Sequence, residues 1–479
     1  MRKEHDFLGE VELDDKALYG IHAVRAKNNF PDNTTFHIDW YKAIGVVKQA
    51  AYNTIENFTD AVKAKYPEKV SLLNLPNKEI IKALQKSAVE IANGNYNEHF
   101  IVPAIQGGAG TSINLNVNEI IANSSLLKLG HSPGNYSLID PIEQANQFQS
   151  TNDVIPTALT VAAIKLLEKL ELSINSMREK LEKLESEHRN SLRLAYTQMQ
   201  QAVPSSFGQL FSAYNDAFSR DWWRVSKCFE RIKTVNLGGG ATGSGIAIPR
   251  FYIMEVVPEL KKITGLPITQ SENLTETTSN LDGFVEVHAM LKAHAVNLHK
   301  MVNDLRLLGS DIVNKEISLP EKQVGSSIMP GKVNPVIPEY IIAVCEKIFA
   351  NDALITNLAA QGTLELNANI PTIGHALLES IKWLLGANKT IEQNMLTGIV
   401  VNNKVAANKL FKSPAVCTAI SPVIGYNKAT ELANFMKEKK CDIFEANISL
   451  DLIDQRQMEE YMKPGFLLQK GFSVKDIIL

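Results

Sequence analysis

A mainly α-helical chain organised around a long central helix bundle is predicted by three features of these 479 residues: heptad-like apolar spacing, two further long apolar stripes, and few strand-like runs. Between Leu159 and Leu184 the residues Leu167, Leu170, Ile174, Met177, Leu181 and Leu184 recur at alternating steps of three and four, with Lys and Glu between them, as in a coiled-coil-like helix. A second long helix is expected after Thr278, with Leu281, Phe284, His288, Leu291, Ala295, Leu298, Val302 and Leu305 on one stripe and Gly309 near its end. A third begins at Pro335 and carries Ile341, Val344, Cys345, Ile348, Ile355 and Leu358. The aromatic segment from Ser205 to Val235 (Phe207, Phe211, Tyr214, Phe218, Trp222, Trp223) also reads as a buried helix. Strand-like runs are short, for example around Ile246-Ala247-Ile248. Helices with apolar surface on more than one face favour self-association.

Turn-rich Gly130-His131-Ser132-Pro133-Gly134-Asn135 and a break near Asn388 suggest three domains: residues 1–138, mostly helical; 139–390, the long-helix bundle; and 391–479, a small helical C-terminal domain. The formal net charge of −3 and pI near 6.4 offer no basic stripe for a phosphate backbone, so nucleic acid is not expected as a partner and a small molecule is. The N-terminus has no apolar leader, and no run of about eighteen uncharged apolar residues occurs, which argues against secretion and membrane insertion and for a cytoplasmic protein. Cys228, Cys345, Cys417 and Cys441 are scattered without CxxC or metal-ligand spacing and read as reduced thiols.

Four polar strings interrupt the helical pattern. Gln106-Gly107-Gly108-Ala109-Gly110-Thr111-Ser112, followed by Asn114, Asn116 and Asn118-Glu119, combines glycines that permit close backbone approach with hydroxyl donors suited to a carboxylate. Gln149-Ser150-Thr151-Asn152-Asp153 precedes Pro156, which is placed to open the first long helix; hydroxyls at a helix N-terminus serve either as a plain cap or as an anion site. Tyr196-Thr197-Gln198-Met199-Gln200-Gln201, at the far end of the coiled-coil helix, is by itself no more than a solvated helix face would show. Gly325-Ser326-Ser327-Ile328-Met329-Pro330-Gly331-Lys332-Val333-Asn334-Pro335 is the sharpest of the four. Its glycines let the backbone swing, its prolines fix where the swing stops, and a serine hydroxyl among backbone N–H groups near an ammonium can be held as an alkoxide.

The serine string resembles, nearly letter for letter, the signature loop of the aspartase/fumarase superfamily, and the other three strings match that superfamily in order and approximate spacing. Ala17-Leu18-Tyr19-Gly20-Ile21-His22, Val235 to Gly245, and Asn303-Asp304-Leu305-Arg306-Leu307-Leu308 extend the resemblance over essentially the whole chain. GGAGTS, QSTND and KVNPVIPE are more similar to the aspartate ammonia-lyase branch than to the fumarases.

The resemblance implies a lyase that assembles into a homotetramer with a multi-helix core. It would take a dicarboxylate substrate, eliminate ammonia from L-aspartate to give fumarate, and use no organic cofactor and no metal. It implies Ser326 as the base; Ser327, Thr111, Ser150 and Thr151 around the side-chain carboxylate; Lys332 and Asn334 on the other carboxylate; and Asn152, Thr197 and Gln198 around the amine. These residue types suit the chemistry. Removing a proton beside a carboxylate builds a doubly charged aci-carboxylate, and losing one donor aimed at such an oxyanion typically costs about 2.7–4 kcal/mol of barrier.

Gln198 departs from the pattern, because many relatives have histidine there; glutamine relays no proton, which suits an amine that leaves carrying its own. Ile370 stands where relatives often have a polar residue, and Ile139 to Gln144 lacks the histidine of a secondary dicarboxylate site in fumarases, so both departures bear on regulation. A fumarase, a lyase for another amino-dicarboxylate and a catalytically silent helical oligomer are the competing readings.

Two other signals are set aside. Gly238-Gly239-Gly240-Ala241-Thr242-Gly243 fits a dinucleotide fingerprint but lacks the following βαβ unit. His288, His294 and His299 are spaced six and five apart, which reads as packed or solvated side chains and not as metal ligands.

Overall fold

The structure, a computed structural model, describes residues 1–474. The chain opens with an antiparallel hairpin, β1 (Arg2–Asp6) and β2 (Gly9–Leu13), in register from Arg2↔Leu13 to Asp6↔Gly9. Helices α1 (Ile21–Asn29), α2 (Ile38–Lys65), α3 (Lys78–Asn93) and α4 (Thr111–Lys128) follow. Carboxylates take the otherwise orphaned N–H groups at the start of α1. Glu119 of α4 accepts from Gly20 (2.7 Å) and His22 (2.8 Å), and Glu4 of β1 accepts from Ile21 (2.8 Å). A Cβ at position 20 would lie 2.8 Å from both carboxylates, so glycine lets them approach the helix start without shifting.

Helix α5 (Thr151–Glu187) leads into a second hairpin, β3 (Leu192–Thr197) and β4 (Gln200–Ser206), and then α6 (Phe207–Lys227). Short elements come next: α7 (Phe229–Ile232), β5 (Thr234–Val235), α8 (Arg250–Thr264), β6 (Thr269–Gln270) and α9 (Leu274–Ser279), with β5 and β6 paired in parallel. Helix α10 (Asp282–Leu308), strand β7 (Ile317–Ser318), α11 (Val336–Ala359) and α12 (Ile370–Ile391) precede β8 (Val400–Val401), which pairs antiparallel with β7. Six smaller helices complete the described chain: α13 (Asn403–Lys412), α14 (Ser421–Ile424), α15 (Tyr426–Lys439), α16 (Ile443–Leu450), α17 (Gln455–Tyr461) and α18 (Pro464–Leu467). The fold is mainly α, as the apolar periodicity predicts, and among the described residues every sheet has just two strands.

Two compact units divide the chain. The first takes Met1–Glu171, Arg224–Ala293 and Glu346–Leu385; the second takes Leu172–Trp223, His294–Cys345 and the described chain from Gly386 onward. The heptad residues of α5 and the whole predicted stripe of α10 are buried. In the first unit α2 meets α3 so closely at Gly45 that a Cβ would stand 2.4 Å from the Ala92 nitrogen, and Gly374 of α12 makes room for the Trp40 ring. In the second unit the C-terminal helices build an apolar cluster (Leu410, Val416, Leu432, Met436, Ile443, Met458) that Leu194 of β3 joins.

Four local expectations change. Thr197 and Gln198 lie at a hairpin tip and not at a helix end, because β3 pairs with β4. Ile246-Ala247-Ile248 forms turns with Ala247 at φ 63°, since no neighbouring strand is there to pair with it. Asn388 lies within α12, three residues from the point where the chain passes from the first unit to the second; its amide donates to Ser173 Oγ and its oxygen meets His294 Nε2. Helix α5 starts at Thr151, five residues before Pro156, because Ser150 and Asp153 cap it.

The histidines are spent on hydrogen bonds. His288 lies between Asp352 and Ser380, and His294 between Asp221 and Asn388, both fully buried, while His299 meets Asn303. All four cysteines are free thiols. No helix among the described residues is long and apolar enough to cross a membrane.

Candidate active site

In the first unit, two helix N-termini carry the predicted carboxylate donors. Gly108, Ala109 and Gly110 all adopt left-handed conformations (φ 89°, 57° and 88°), a turn that delivers Thr111 as the exposed first residue of α4. A Cβ on Gly110 would come within 3.1 Å of the Ile155 side chain, so the glycine lets the start of α4 approach the first turns of α5.

At the start of α5, the Ser150 N–H donates to Asp153 Oδ1 (2.9 Å) and the Ser150 hydroxyl accepts from the Asn152 N–H (3.2 Å), a reciprocal cap. Asn114, one turn into α4, donates from Nδ2 to Thr151 Oγ1 at 3.3 Å, tying the two helix ends together. Asn152 donates from Nδ2 to the Ala241 carbonyl (2.8 Å), and its own carbonyl accepts from Asn236 (2.9 Å). Thr111, Ser150, Thr151 and Asn152 thus share one framework.

The glycine string after Leu237 has a role in that framework. Buried Asp153 accepts from the Gly238 and Gly240 N–H groups (3.2 and 3.0 Å), so the string wraps a carboxylate of its own chain. Burial pushes the Asp153 carboxyl up to about 6, against the pull of those N–H groups and of Lys48. Lys48 of α2 is wholly buried and donates to Asn146 Oδ1 at 3.1 Å. Sequence reasoning missed Lys48, Asn146 and Asp153 as site residues. The one available signal was a lysine inside the apolar run from Gly45 to Ala51.

In the second unit, the serine loop closes on itself. The Gly325 N–H donates to the Lys332 carbonyl (2.8 Å), and Asn334 donates from Nδ2 to the Gly325 carbonyl (2.7 Å). Inside that ring the Ser326 hydroxyl oxygen accepts from the N–H groups of Ile328 (3.2 Å) and Met329 (3.0 Å). Ser326 is half-buried, whereas Ser327 and Lys332 are exposed.

Thr197 and Gln198 occupy the tip of the β3–β4 hairpin, with Gln198 and Met199 at φ 51° and 62°, the paired left-handed conformations of a tight two-residue turn. Below the tip, Tyr196 donates its hydroxyl to Glu316 (2.7 Å), the residue just before β7 and hence at the root of the serine loop. Glu316 is fully buried and also accepts from Lys409 (2.9 Å), with Arg193 at 3.9 Å. Ile370 is the buried first residue of α12.

Comparison with known proteins identifies the family. Residues 28–350 match the model of a family described as lyase. An aspartate ammonia-lyase from Bacillus sp is 37% identical over 99% of this chain and 98% of its own, and that of Escherichia coli K12 is 34% identical over 99% and 98%. Among solved structures, a fumarate lyase:delta crystallin from Brucella melitensis bound to cobalt superposes with a TM-score of 0.88 at 34% identity, covering 97% of this chain and 98% of that one. A recombinant class II fumarase from Schistosoma mansoni gives 0.86 at 26% identity, covering 97% and 98%. With its helical fold, its serine loop and full-length relatives above 30% identity, the chain belongs to the lyase family of the aspartase/fumarase superfamily.

Proposed function

We propose that the protein eliminates ammonia from L-aspartate to give fumarate, with Ser326 as the base. The observation that carries this reading is the pair of backbone N–H groups on the Ser326 oxygen. Hydrogen bonds of that kind favour the ionised form of the acceptor, so they lower the cost of an alkoxide on a residue that is otherwise a poor base. The alkoxide takes the proton from the carbon next to the side-chain carboxylate. The electron pair left on that carbon spreads into the carboxylate as an aci-dianion, then forms the carbon–carbon double bond as the carbon–nitrogen bond breaks. The nitrogen leaves as neutral ammonia, keeping the bonding pair.

Thr111, Ser150, Thr151 and Ser327 supply neutral donors to the dianion, and Lys332 and Asn334 hold the other carboxylate. Asn152 has its nitrogen on the Ala241 carbonyl, which leaves its side-chain oxygen to accept from an ammonium; Thr197 and Gln198 are the other residues assigned to the amine. A homotetramer is part of this proposal, because exposed apolar residues such as Leu172 and Val296 remain on long helices of the isolated chain.

Hydration of fumarate is the second reading, favoured by the class II fumarase among the structural neighbours. The test is fumarate absorbance with the purified protein on L-aspartate and on L-malate, beside Ser326→Ala. Fumarate from aspartate alone, abolished in a folded Ser326→Ala assembly, is the expected result. Production from malate alone makes the protein a fumarase, near-normal turnover by the variant removes Ser326 as the base, and silence on both substrates favours a lyase for another amino-dicarboxylate or a catalytically silent oligomer of the same fold.

A further inference from the structure

We infer that Lys48 is a positioning residue that aims the Thr151 hydroxyl at the substrate anion; the inference rests on the clamp role proposed above for Thr151. A lysine ammonium can only donate, and Lys48 Nζ reaches Asn146 Oδ1 at 3.1 Å inside the core. Asn146 must therefore present its oxygen, not its nitrogen, to that point. The same oxygen accepts from Asn114 Nδ2 (3.0 Å) and Asn118 Nδ2 (3.2 Å), and Asn146 Nδ2 donates outward to the Gln149 carbonyl (3.2 Å), two residues before Thr151. With its nitrogen turned to Asn146, Asn114 spends its second N–H on Thr151 Oγ1. A hydroxyl whose oxygen already accepts an amide hydrogen has its own hydrogen left to give. Two fixed amides, Asn146 and Asn114, thus convert one buried donor into the direction of another.

The network bears a cost that shows the orientation is imposed. Asn114 Oδ1 and Asn118 Oδ1 are buried with no partner among the described residues, because both nitrogens are drawn to the single Asn146 oxygen. Without Lys48, only the donation to the Gln149 carbonyl still sets which way the Asn146 amide faces, because Asn114 and Asn118 can turn with it and present their unpartnered oxygens. Asn114 then follows, its oxygen faces Thr151, and the hydroxyl donates inward to asparagine instead of outward to the carboxylate. Burial pushes the Lys48 amine down to about 7, against the pull of the buried Asp153 carboxylate, and in either protonation state its N–H groups can donate to Asn146 Oδ1.

Because the aci-dianion gains more from the donor than the ground-state carboxylate does, the effect belongs in kcat. The test is a double-mutant cycle between Lys48→Met and Thr151→Val, read as kcat and KM on aspartate together with calorimetric binding of succinate, an unreactive dicarboxylate. Thr151→Val should lower kcat about 100-fold, as for loss of one oxyanion donor, and Lys48→Met about tenfold with KM shifted less than about threefold.

The double variant should fall within about threefold of Thr151→Val alone, since Lys48 has nothing left to aim. A further tenfold loss in the double variant, or a Lys48→Met effect confined to KM, overturns the inference. Where Lys48→Met does not fold, Asn114→Asp replaces it in the cycle, because a carboxylate cannot donate to Thr151 and should give the same non-additive loss. Wild-type protein that turns over aspartate while the cycle is additive refutes the positioning role alone. Wild-type protein that neither turns over aspartate nor binds succinate refutes the clamp and the inference with it.

Discussion

Asn334 donates its side-chain amide to the Gly325 carbonyl at 2.7 Å, so the residue near the end of the serine loop holds the residue at its beginning. The loop is a closed ring whose shape is set by two backbone-anchored bonds while its tip, with Ile328 and Met329, stands in solvent. Such a ring keeps two N–H groups on Ser326 without help from the core.

Gly325→Ala tests that closure. A Cβ at this position would lie 2.6 Å from the Asn334 nitrogen and 2.7 Å from the Lys332 carbonyl, both backbone atoms that cannot swing aside. The expected outcome is a fall in kcat of at least about 100-fold, as when oxyanion-type support is lost, with little change in melting temperature because the segment is exposed. Steady-state kinetics beside a thermal melt checks it; near-normal turnover would show that the ring does not organise the base.

Glu316 is the anchor beneath both the hairpin tip and the root of the serine loop. Glu316→Ala leaves Arg193 and Lys409 without their shared carboxylate and frees the Tyr196 hydroxyl. Removing one partner of a buried ion pair typically costs about 3–5 kcal/mol. The variant should melt earlier, and amide exchange over 196–201 should accelerate ahead of the rest of the second unit. Unchanged exchange there would separate the hairpin from Glu316.

A pH dependence of stability follows from His37. Its ring lies 4.7 Å, centre to centre, from that of His375, and burial, then His375, then Lys382, push it down to about 4, with Asp39 opposing. His375 is also lowered by burial, against Glu379 and Asp32. The fold favours neutral His37 while the unfolded chain titrates near 6.5, so the stabilisation is complete above 6.5 and is lost as pH falls toward 4. The change amounts to about 3 kcal/mol at most. Urea unfolding between pH 7 and pH 4 should show this slope, and His37→Gln should flatten it; an unchanged slope would assign the acid sensitivity elsewhere.

The sequence alone determined the long helices, because a period near 3.5 in apolar residues leaves one way to bury them, and it marked the serine loop, because two serines, a lysine and an asparagine among glycines and prolines serve no packing purpose. It also marked the start of α5, where the Ser150 hydroxyl caps through a local bond to the Asn152 N–H. Only tertiary structure decided the rest. Nothing within Tyr196 to Gln201 says hairpin until β4 pairs with β3 and Gln198 and Met199 turn left-handed, and Ile246 to Ile248 is no strand because it pairs with no strand among the described residues. Near Asn388 the chain passes between compact units without leaving α12, whose last turns are held by His294 and Ser173 on the Asn388 amide. The partners of Lys48 and Asp153 appear only where distant stretches bury them against Asn146, Gly238 and Gly240, since a buried charge is defined by partners that sequence spacing does not reveal.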